Sequence, residues 1–181
     1  MGRDYPWYEV VEGESLEQGD IFIRCPVVVP EEPFASSAGP EPMRADVSFY
    51  DVVILTQSCD LAEDRVSDVI LCPNWDLAEA GRMDPALANR DAHEQIRKGR
   101  RARYLLLSDS PETRPALGVR IVDFSRVFGL PKRLLQRFAS SSGPRLRLCP
   151  PYREHLSQAF ARFFMRVGLP QDIRLPASRR T

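Results

Sequence analysis

The stretch Asp51-Val-Val-Ile-Leu-Thr-Gln-Ser-Cys-Asp-Leu-Ala62 decides the fold of this chain, because it joins an apolar strand to a polar end. The four consecutive apolar residues of Val52–Leu55 predict a strand that is buried on both faces. Five side chains that form hydrogen bonds follow at Thr56–Asp60. A rigid strand that ends in such a cluster is a common support for a functional site. The alternative is a plain turn, in which Cys59 packs as a small hydrophobic residue.

Strands are predicted on both sides of this central strand, which we place at Tyr50–Gln57. Upstream, Leu16–Val29 predicts one strand, or two strands broken at Pro26, because proline lacks the N–H that a ladder needs. The intervening Pro30–Arg44 is rich in Pro, Ser and Glu and predicts a long loop. Downstream, Val66–Cys72 predicts a strand that ends at the following Pro-Asn pair and lies antiparallel to the central strand.

The C-terminal half mixes helices and strands. Trp75–Arg101 predicts helical pieces interrupted at Gly81 and Pro85. The alternation of arginine and apolar residues in Arg145–Cys149 is typical of a half-buried strand. Tyr152–Val167 carries an apolar stripe at helical spacing and predicts an amphipathic helix. Two more strands are predicted at Tyr104–Leu107 and Gly118–Phe124. One short helix is predicted at Lys132–Ser140.

These elements predict an α+β fold, mainly β, in one domain over residues 1–181. The β core is expected over about 16–74 and 103–149, with a helical insertion over about 75–101 and the C-terminal helix over about 152–167. At 181 residues the chain is long enough to bury a core. Its apolar runs are too short to span a membrane, and Met1–Val10 lacks the layout of a signal peptide, so we expect a cytoplasmic protein.

The net charge of zero hides a strong split between the two halves. Residues 1–95 hold 20 acidic and 6 basic residues, whereas residues 96–181 hold 5 and 19. Opposite charges attract, so the simplest explanation is one body whose halves pack together. The alternative is a basic face for phosphate, which arginine binds bidentately.

The densest positive cluster is the run Arg97–Arg103. It is either a solvated turn or a surface that binds phosphate or a partner. As a nucleic-acid interface it would use Trp75 or Tyr104 for base stacking. Its candidate contacts are Arg97, Lys98, Arg100, Arg101 and Arg103.

The cysteines and histidines do not form a ligand pattern. The four cysteines are far apart, and neither histidine lies at ligand spacing from any of them, so no metal and no cofactor is expected. Without a secretory signal, disulfides are not expected either. Cys25, Cys72 and Cys149 each precede a proline and are expected to be buried at strand ends. Cys59 differs, because its neighbours are polar.

Three segments of the N-terminal half carry a resemblance to a known family: Gln18-Gly19-Asp20-Ile21-Phe22 before a long loop, Asp51–Gln57, and Asp68–Pro73. Together they resemble the MazF/PemK-like toxins of bacterial toxin–antitoxin systems over roughly Leu16–Asn74. The resemblance implies an SH3-like β-barrel, which in this family commonly forms dimers. Members cut single-stranded RNA with an Arg and a Ser or Thr near these strand ends, and others are inert binding modules. This chain has Asn74-Trp75 where the toxins have a hydroxyl pair.

Four functions are compatible with these residues. The first is a binding module that docks RNA, DNA or a protein partner through the basic run. The second is a toxin-like endoribonuclease, in which Arg24 stabilises the phosphate while Ser58 and Asp60 act beside it. The third is a structural or antitoxin-like partner protein that forms a homodimer and has no site.

The fourth function is a hydrolase that uses Cys59 as its nucleophile. A reactive thiolate needs a nearby base or positive charge. Here His93 or His155 would be the base. Asp60 would orient that base, and Gln57 would donate to the oxyanion.

Overall fold

The computed structural model describes residues 5–30 and 45–165. Within them the chain is α+β and mostly β, as the sequence predicts, with eight strands and five α-helices. In chain order the elements are β1 (Tyr8–Val11), β2 (Asp20–Pro30), β3 (Ala45–Ile54), α1 (Ser58–Ala62), β4 (Asp68–Asp76), α2 (Leu77–Met83), a 3-10 helix (Pro85–Leu87), α3 (Arg90–Arg97), β5 (Tyr104–Leu107), β6 (Arg120–Asp123), β7 (Phe128–Pro131), α4 (Lys132–Ser141), β8 (Arg145–Leu148) and α5 (Tyr152–Phe164).

The strands form one antiparallel sheet in the order β1-β8-β2-β3-β4-β6-β5, and β7 pairs with β4 outside this path. The predicted pairing of the central strand with the next one is confirmed, with Val53 opposite Cys72. The sheet is open, because no ladder joins β1 to β5 in the described residues. One hydrogen bond nevertheless links these ends: the Tyr8 hydroxyl donates to the carbonyl of Ser108, 2.7 Å away.

Of the two alternatives for the first predicted strand, the single strand is confirmed, whereas the predicted end of a later strand at Pro73 was wrong. β2 passes through Pro26, because β8 pairs with β2 only at Asp20 and Ile21 and leaves an edge where proline is tolerated. The irregularity in β2 lies earlier, at Arg24, which has a φ of 51°. β4 continues beyond Pro73 to Asp76, because β6 replaces β3 as its partner from Asn74 onward.

The helical segments match the prediction more closely. The break at Pro85 is confirmed, and Asp84 caps the 3-10 helix by accepting a hydrogen bond from the N–H of Ala86. The break at Gly81 was wrong: this glycine lies inside α2, where a Cβ would come within 3.0 Å of the Cα of Ala88. The expected turn after β3 is instead the short helix α1.

Several predictions concern residues outside the described part of the chain. The loop expected over Pro30–Arg44 lies there from residue 31 to residue 44. The last helix begins at Tyr152 as predicted and is described as far as Phe164, so its expected end at Val167 also lies outside. The helix expected at Lys132–Ser140 is confirmed as α4.

The core consists of three apolar clusters on the two faces of the sheet. Val53 belongs to the first cluster, which α5 covers with Leu156. Val52 and Ile54 belong to the second, which also includes Leu135 of α4. β3 is therefore buried on both faces at this end, as its apolar run predicts. The third cluster joins α2, α3 and the 3-10 helix to β6, through Ala80, Ile96, Leu87 and Ile121.

A buried carboxylate holds the two halves of the chain together. Asp20 has no exposed surface, and Arg145 and Arg147 of β8 both donate to it, the first with Nε 2.9 Å from Oδ2. The prediction of a half-buried β8 was therefore wrong, because the two arginines meet a carboxylate instead of solvent. Glu17 extends the cluster, with one oxygen 2.7 Å from Arg147 and the other 3.2 Å from Arg153 of α5. These ion pairs join the acidic half to the basic half, as the charge split predicts.

No helix in the described residues is long and apolar enough to cross a membrane.

We expect the substitution Asp20→Asn to lower the free energy of unfolding by about 3–5 kcal/mol, because it leaves two buried guanidinium groups without their carboxylate. Chemical denaturation followed by circular dichroism measures this loss. The exposed Asp68→Asn is the matched control and is expected to change stability by less than about 0.5 kcal/mol. A loss under about 1 kcal/mol for Asp20→Asn would contradict the importance of this cluster.

Candidate functional site

The polar cluster after β3 is tied into the scaffold. The hydroxyl of Thr56 accepts a hydrogen bond from the N–H of Ile70, at 2.7 Å. The hydroxyl of Ser58 accepts one from the N–H of Gln18, at 3.1 Å. The amide of Gln57 lies 3.4 Å from the hydroxyl of Ser157 on α5. Three of the five polar residues therefore connect β3 and α1 to their neighbours.

Cys59 is different, because its thiol is exposed and lines a cleft of about 1200 Å³. The interpretation of Cys59 as a packed hydrophobic residue was therefore wrong. Its sulfur lies 3.9 Å from the nearer carboxylate oxygen of Asp60. Lys132 also lines the cleft, and its ammonium group donates to the carbonyl of Leu61 and to the carboxylate of Asp64.

Neither histidine is a hydrogen-bond partner of Cys59 among the described residues. The Nε2 atom of His93 lies 2.6 Å from the carbonyl oxygen of Leu87. His155 packs edge-on against Tyr152 and lines a different cleft. The arrangement of nucleophile, base and orienting acid that a cysteine hydrolase needs is therefore not assembled in this part of the chain.

Arg24 is also separated from Ser58 and Asp60. Its N–H donates to Asp51, at 2.9 Å, and its guanidinium lies over the ring of Phe49. Ser58 contacts Gln18, which precedes Arg24 by six residues. Within the described residues, no hydrogen bond or ion pair joins Arg24 to Ser58 or to Asp60. The structure does not bring these residues together as one ribonuclease site.

Only part of the positive charge of the basic run, Arg97–Arg103, is neutralised by carboxylates of the described residues. Arg97 and Lys98 both bind Glu94, with nitrogen–oxygen distances of 2.7 and 3.0 Å. The hydrogen bonds from these two cations lower the pKa of Glu94 to about 2, so the carboxylate stays ionised. One negative charge therefore faces two positive charges at the end of α3.

The next two arginines of the run bind neutral groups. Arg100 lies 3.4 Å from the side-chain oxygen of Gln95, and Arg101 donates to the carbonyl of Ala86 at 3.0 Å. These contacts fix the side chains but leave both charges uncompensated among the described residues.

Arg103 has a carboxylate partner of its own inside the fold. It donates twice to Asp123, at 2.8 and 2.6 Å. Burial of Asp123 raises the pKa of its carboxyl, but the hydrogen bonds from Arg103 and Ser125 outweigh this effect and the net pKa is lowered. The charge of Arg103 is therefore matched inside the fold.

A cleft of about 290 Å³ lies between the end of α3 and α5, and we call it the cationic cleft. Arg97 and Lys98 line one side, and Arg162 of α5 lines the other. The Nη1 atom of Arg162 lies 3.1 Å from the point where a Cβ on Gly99 would be, so glycine allows this close approach. Arg162 makes no ion pair within the described residues.

Sequence reasoning missed the contribution of α5 to this cleft. His155, Gln158 and Arg162 all line it. Their spacing of three and four residues puts them on one helix face, beside the apolar stripe that the prediction used. This polar stripe was visible in the sequence, but nothing there indicated that it would face the basic run.

A second buried polar cluster was also missed. Arg120 donates through Nε to the side-chain oxygen of Asn74, at 2.8 Å, and it forms an ion pair with Asp51. The side-chain amide nitrogen of Asn74 is buried and has no hydrogen-bond partner in the part of the chain that the structure describes. This cluster joins β3, β4 and β6 at the place where β4 changes partner.

Comparison with known proteins adds no assignment: no family of proteins and no curated protein matches this chain. In the described residues, no group of three or more His, Cys, Asp or Glu side chains is arranged to hold a metal ion.

We expect Cys59 to be the fast-reacting thiol of the native protein. Burial raises the pKa of Cys25 and of Cys72 to about 12, so both stay protonated at about pH 8, where only the thiolate attacks a disulfide reagent. Burial also raises the pKa of the half-buried Cys149. A disulfide reagent should therefore label Cys59 at least ~10-fold faster than the others.

The control for this labelling is Cys59→Ser, which should remove the fast phase and leave the slow ones. A fast phase that persists in Cys59→Ser would show that another thiol is accessible.

Proposed function

We propose that this chain is a bacterial, cytoplasmic module that binds nucleic acid through the cationic cleft. We further propose that it is built on an SH3-like barrel related to the MazF/PemK-like toxins. A nucleic-acid strand would lie between the end of α3 and α5, with its phosphates against the arginine and lysine side chains.

The convergence of positive charge from two helices is the observation that carries this proposal. Arg97 and Lys98 come from the end of α3, and Arg162 comes from α5. Glu94 is the only carboxylate that forms an ion pair with any of them within the described residues. Arg100, three residues beyond the end of α3, adds a further charge without an ion-pair partner in the described residues. Surfaces of this kind bind the phosphate backbone and release its counterions.

The two catalytic alternatives, a cysteine hydrolase and a toxin-like endoribonuclease, have less support. In the described residues Cys59 has no histidine partner, and Arg24 contacts neither Ser58 nor Asp60 through a hydrogen bond or an ion pair. A protein partner with an acidic surface would bind to the same cations. The binding experiment below distinguishes such a partner from nucleic acid.

Two features support a barrel-like closure of the open sheet. The hydrogen bond from Tyr8 to Ser108 brings β1 next to the end of β5. Tyr8, Leu107 and Leu148 also belong to one apolar cluster, although they come from strands near opposite ends of the sheet. A curled sheet with a shared interior is what an SH3-like barrel requires.

The binding test is fluorescence anisotropy with a short labelled RNA at increasing salt. We expect the triple variant Arg97→Gln, Lys98→Gln, Arg162→Gln to bind at least ~10-fold more weakly at moderate salt, because it loses phosphate contacts. The slope of log Kd against log salt should fall by up to about 2, at about 0.7 per lost contact on a single strand.

The matched control is Arg114→Gln, Arg133→Gln, Arg137→Gln, which removes the same charge outside the cationic cleft. Equal losses in both triple variants would contradict a localised interface. Absence of salt-dependent binding by the native chain would exclude the proposed function and favour an acidic protein partner.

A further inference from the structure

Tyr104 lines a second pocket besides the cationic cleft. This pocket has a volume of about 200 Å³ and is lined by Trp75, Tyr104 and Arg126, among others. Trp75 pairs with Ile121 across β4 and β6, and Tyr104 pairs with Asp123 across β5 and β6. Because directly paired residues share a face and the face repeats every second residue, both aromatic side chains lie on the same face of the sheet. We call this the aromatic pocket.

The size of the aromatic pocket limits what it can hold. Pockets for drug-sized ligands begin at roughly 300 Å³, so this one is suited to a single ring system. Trp75 and Tyr104 are both only partly buried, and both pack against the apolar cluster beneath α2 and α3. Their rings are therefore held in place by the fold while part of each remains available for contact.

The charges around the aromatic pocket give no net attraction for a phosphate. The guanidinium of Arg103 lies 4.9 Å from the centre of the Tyr104 ring, but Asp123 already matches its charge. Asp84 and Arg126 also line the pocket and add one carboxylate and one guanidinium. A phosphate placed here would meet two carboxylates as well as two guanidinium groups, whereas a flat uncharged ring would meet two aromatic side chains.

We infer that the interface takes single-stranded nucleic acid, with one unpaired base in the aromatic pocket and the neighbouring phosphates in the cationic cleft. This inference rests on the proposed function, since it uses the same interface. Tyr104 connects the two sites, because it lines both. A duplex does not offer such a base, because its bases are stacked and paired, whereas single strands present bases that stack on aromatic side chains.

The first test compares two single strands of equal length, a thymidine homopolymer and an abasic strand. Both carry the same phosphates, so both should show the same slope of log Kd against log salt. We expect the strand with bases to bind about 5- to 100-fold more tightly, as base stacking on aromatic residues does elsewhere. The matching duplex should bind more weakly than the thymidine strand.

The second test assigns the difference to the aromatic pocket. We expect Trp75→Leu to abolish the preference for the strand with bases and to leave the salt slope unchanged, with folding checked by circular dichroism. The control is Trp7→Phe, because Trp7 stacks on Tyr152 and lines neither of the two sites. This control also leaves Trp75 as the only tryptophan of the chain, so its fluorescence reports stacking without a change in the pocket.

The outcomes separate the inference from the proposed function. Equal affinity for the thymidine and abasic strands, with salt-dependent binding of both, would overturn the inference and leave the proposed function intact. Tighter binding of the duplex would do the same. Quenching of Trp75 by the thymidine strand and not by the abasic strand would support the inference. If neither strand nor duplex binds, both proposals fail.

Discussion

The buried carboxylate of Asp20 is the interaction on which the rest of the structure depends. It lies between Arg145 and Arg147, so it fixes β8 beside β2 although more than half of the chain separates them. Arg147 also binds Glu17, and Glu17 binds Arg153 at the start of α5. This series of ion pairs helps to hold α5 in place. Since α5 supplies one wall of the cationic cleft, the position of the candidate interface depends on a charge cluster in the core.

The opposite charges of the two halves have two effects on the structure. Part of the positive charge of the second half is neutralised by ion pairs with the first half, where Arg120 binds Asp51 and Lys132 binds the exposed Asp64. The remainder lies on the surface, and at the cationic cleft it comes from two helices, of which only the end of α3 has Glu94 as a counter-charge within the described residues. A charge split that attracts the two halves therefore also leaves an excess of cations at one place. We propose that this excess binds phosphate.

Local patterns predicted many elements, and tertiary pairing explains where they failed. The apolar run of β3 predicted burial on both faces, because successive side chains of a strand point to opposite faces and all of them are apolar here. The alternation in β8 could not reveal that its arginines are buried, because exposed arginines and arginines paired with a distant carboxylate give the same pattern. The start of α5 was predictable, but its polar stripe became a candidate interface only through contact with α3. The sequence distinguished Cys59 by its polar neighbours, but its exposure depends on how α1 and α4 enclose the large cleft.

The most direct test of the proposed interface is to find where a bound nucleic-acid strand contacts the protein. Ultraviolet crosslinking of the native chain to single-stranded RNA, followed by mass spectrometry, identifies the residues in contact. If the proposed interface is correct, we expect crosslinks at Trp75, at Tyr104 and on the face of α5 that carries Arg162. Crosslinks confined to the cleft around Cys59, or no crosslinks at any salt concentration, would contradict it.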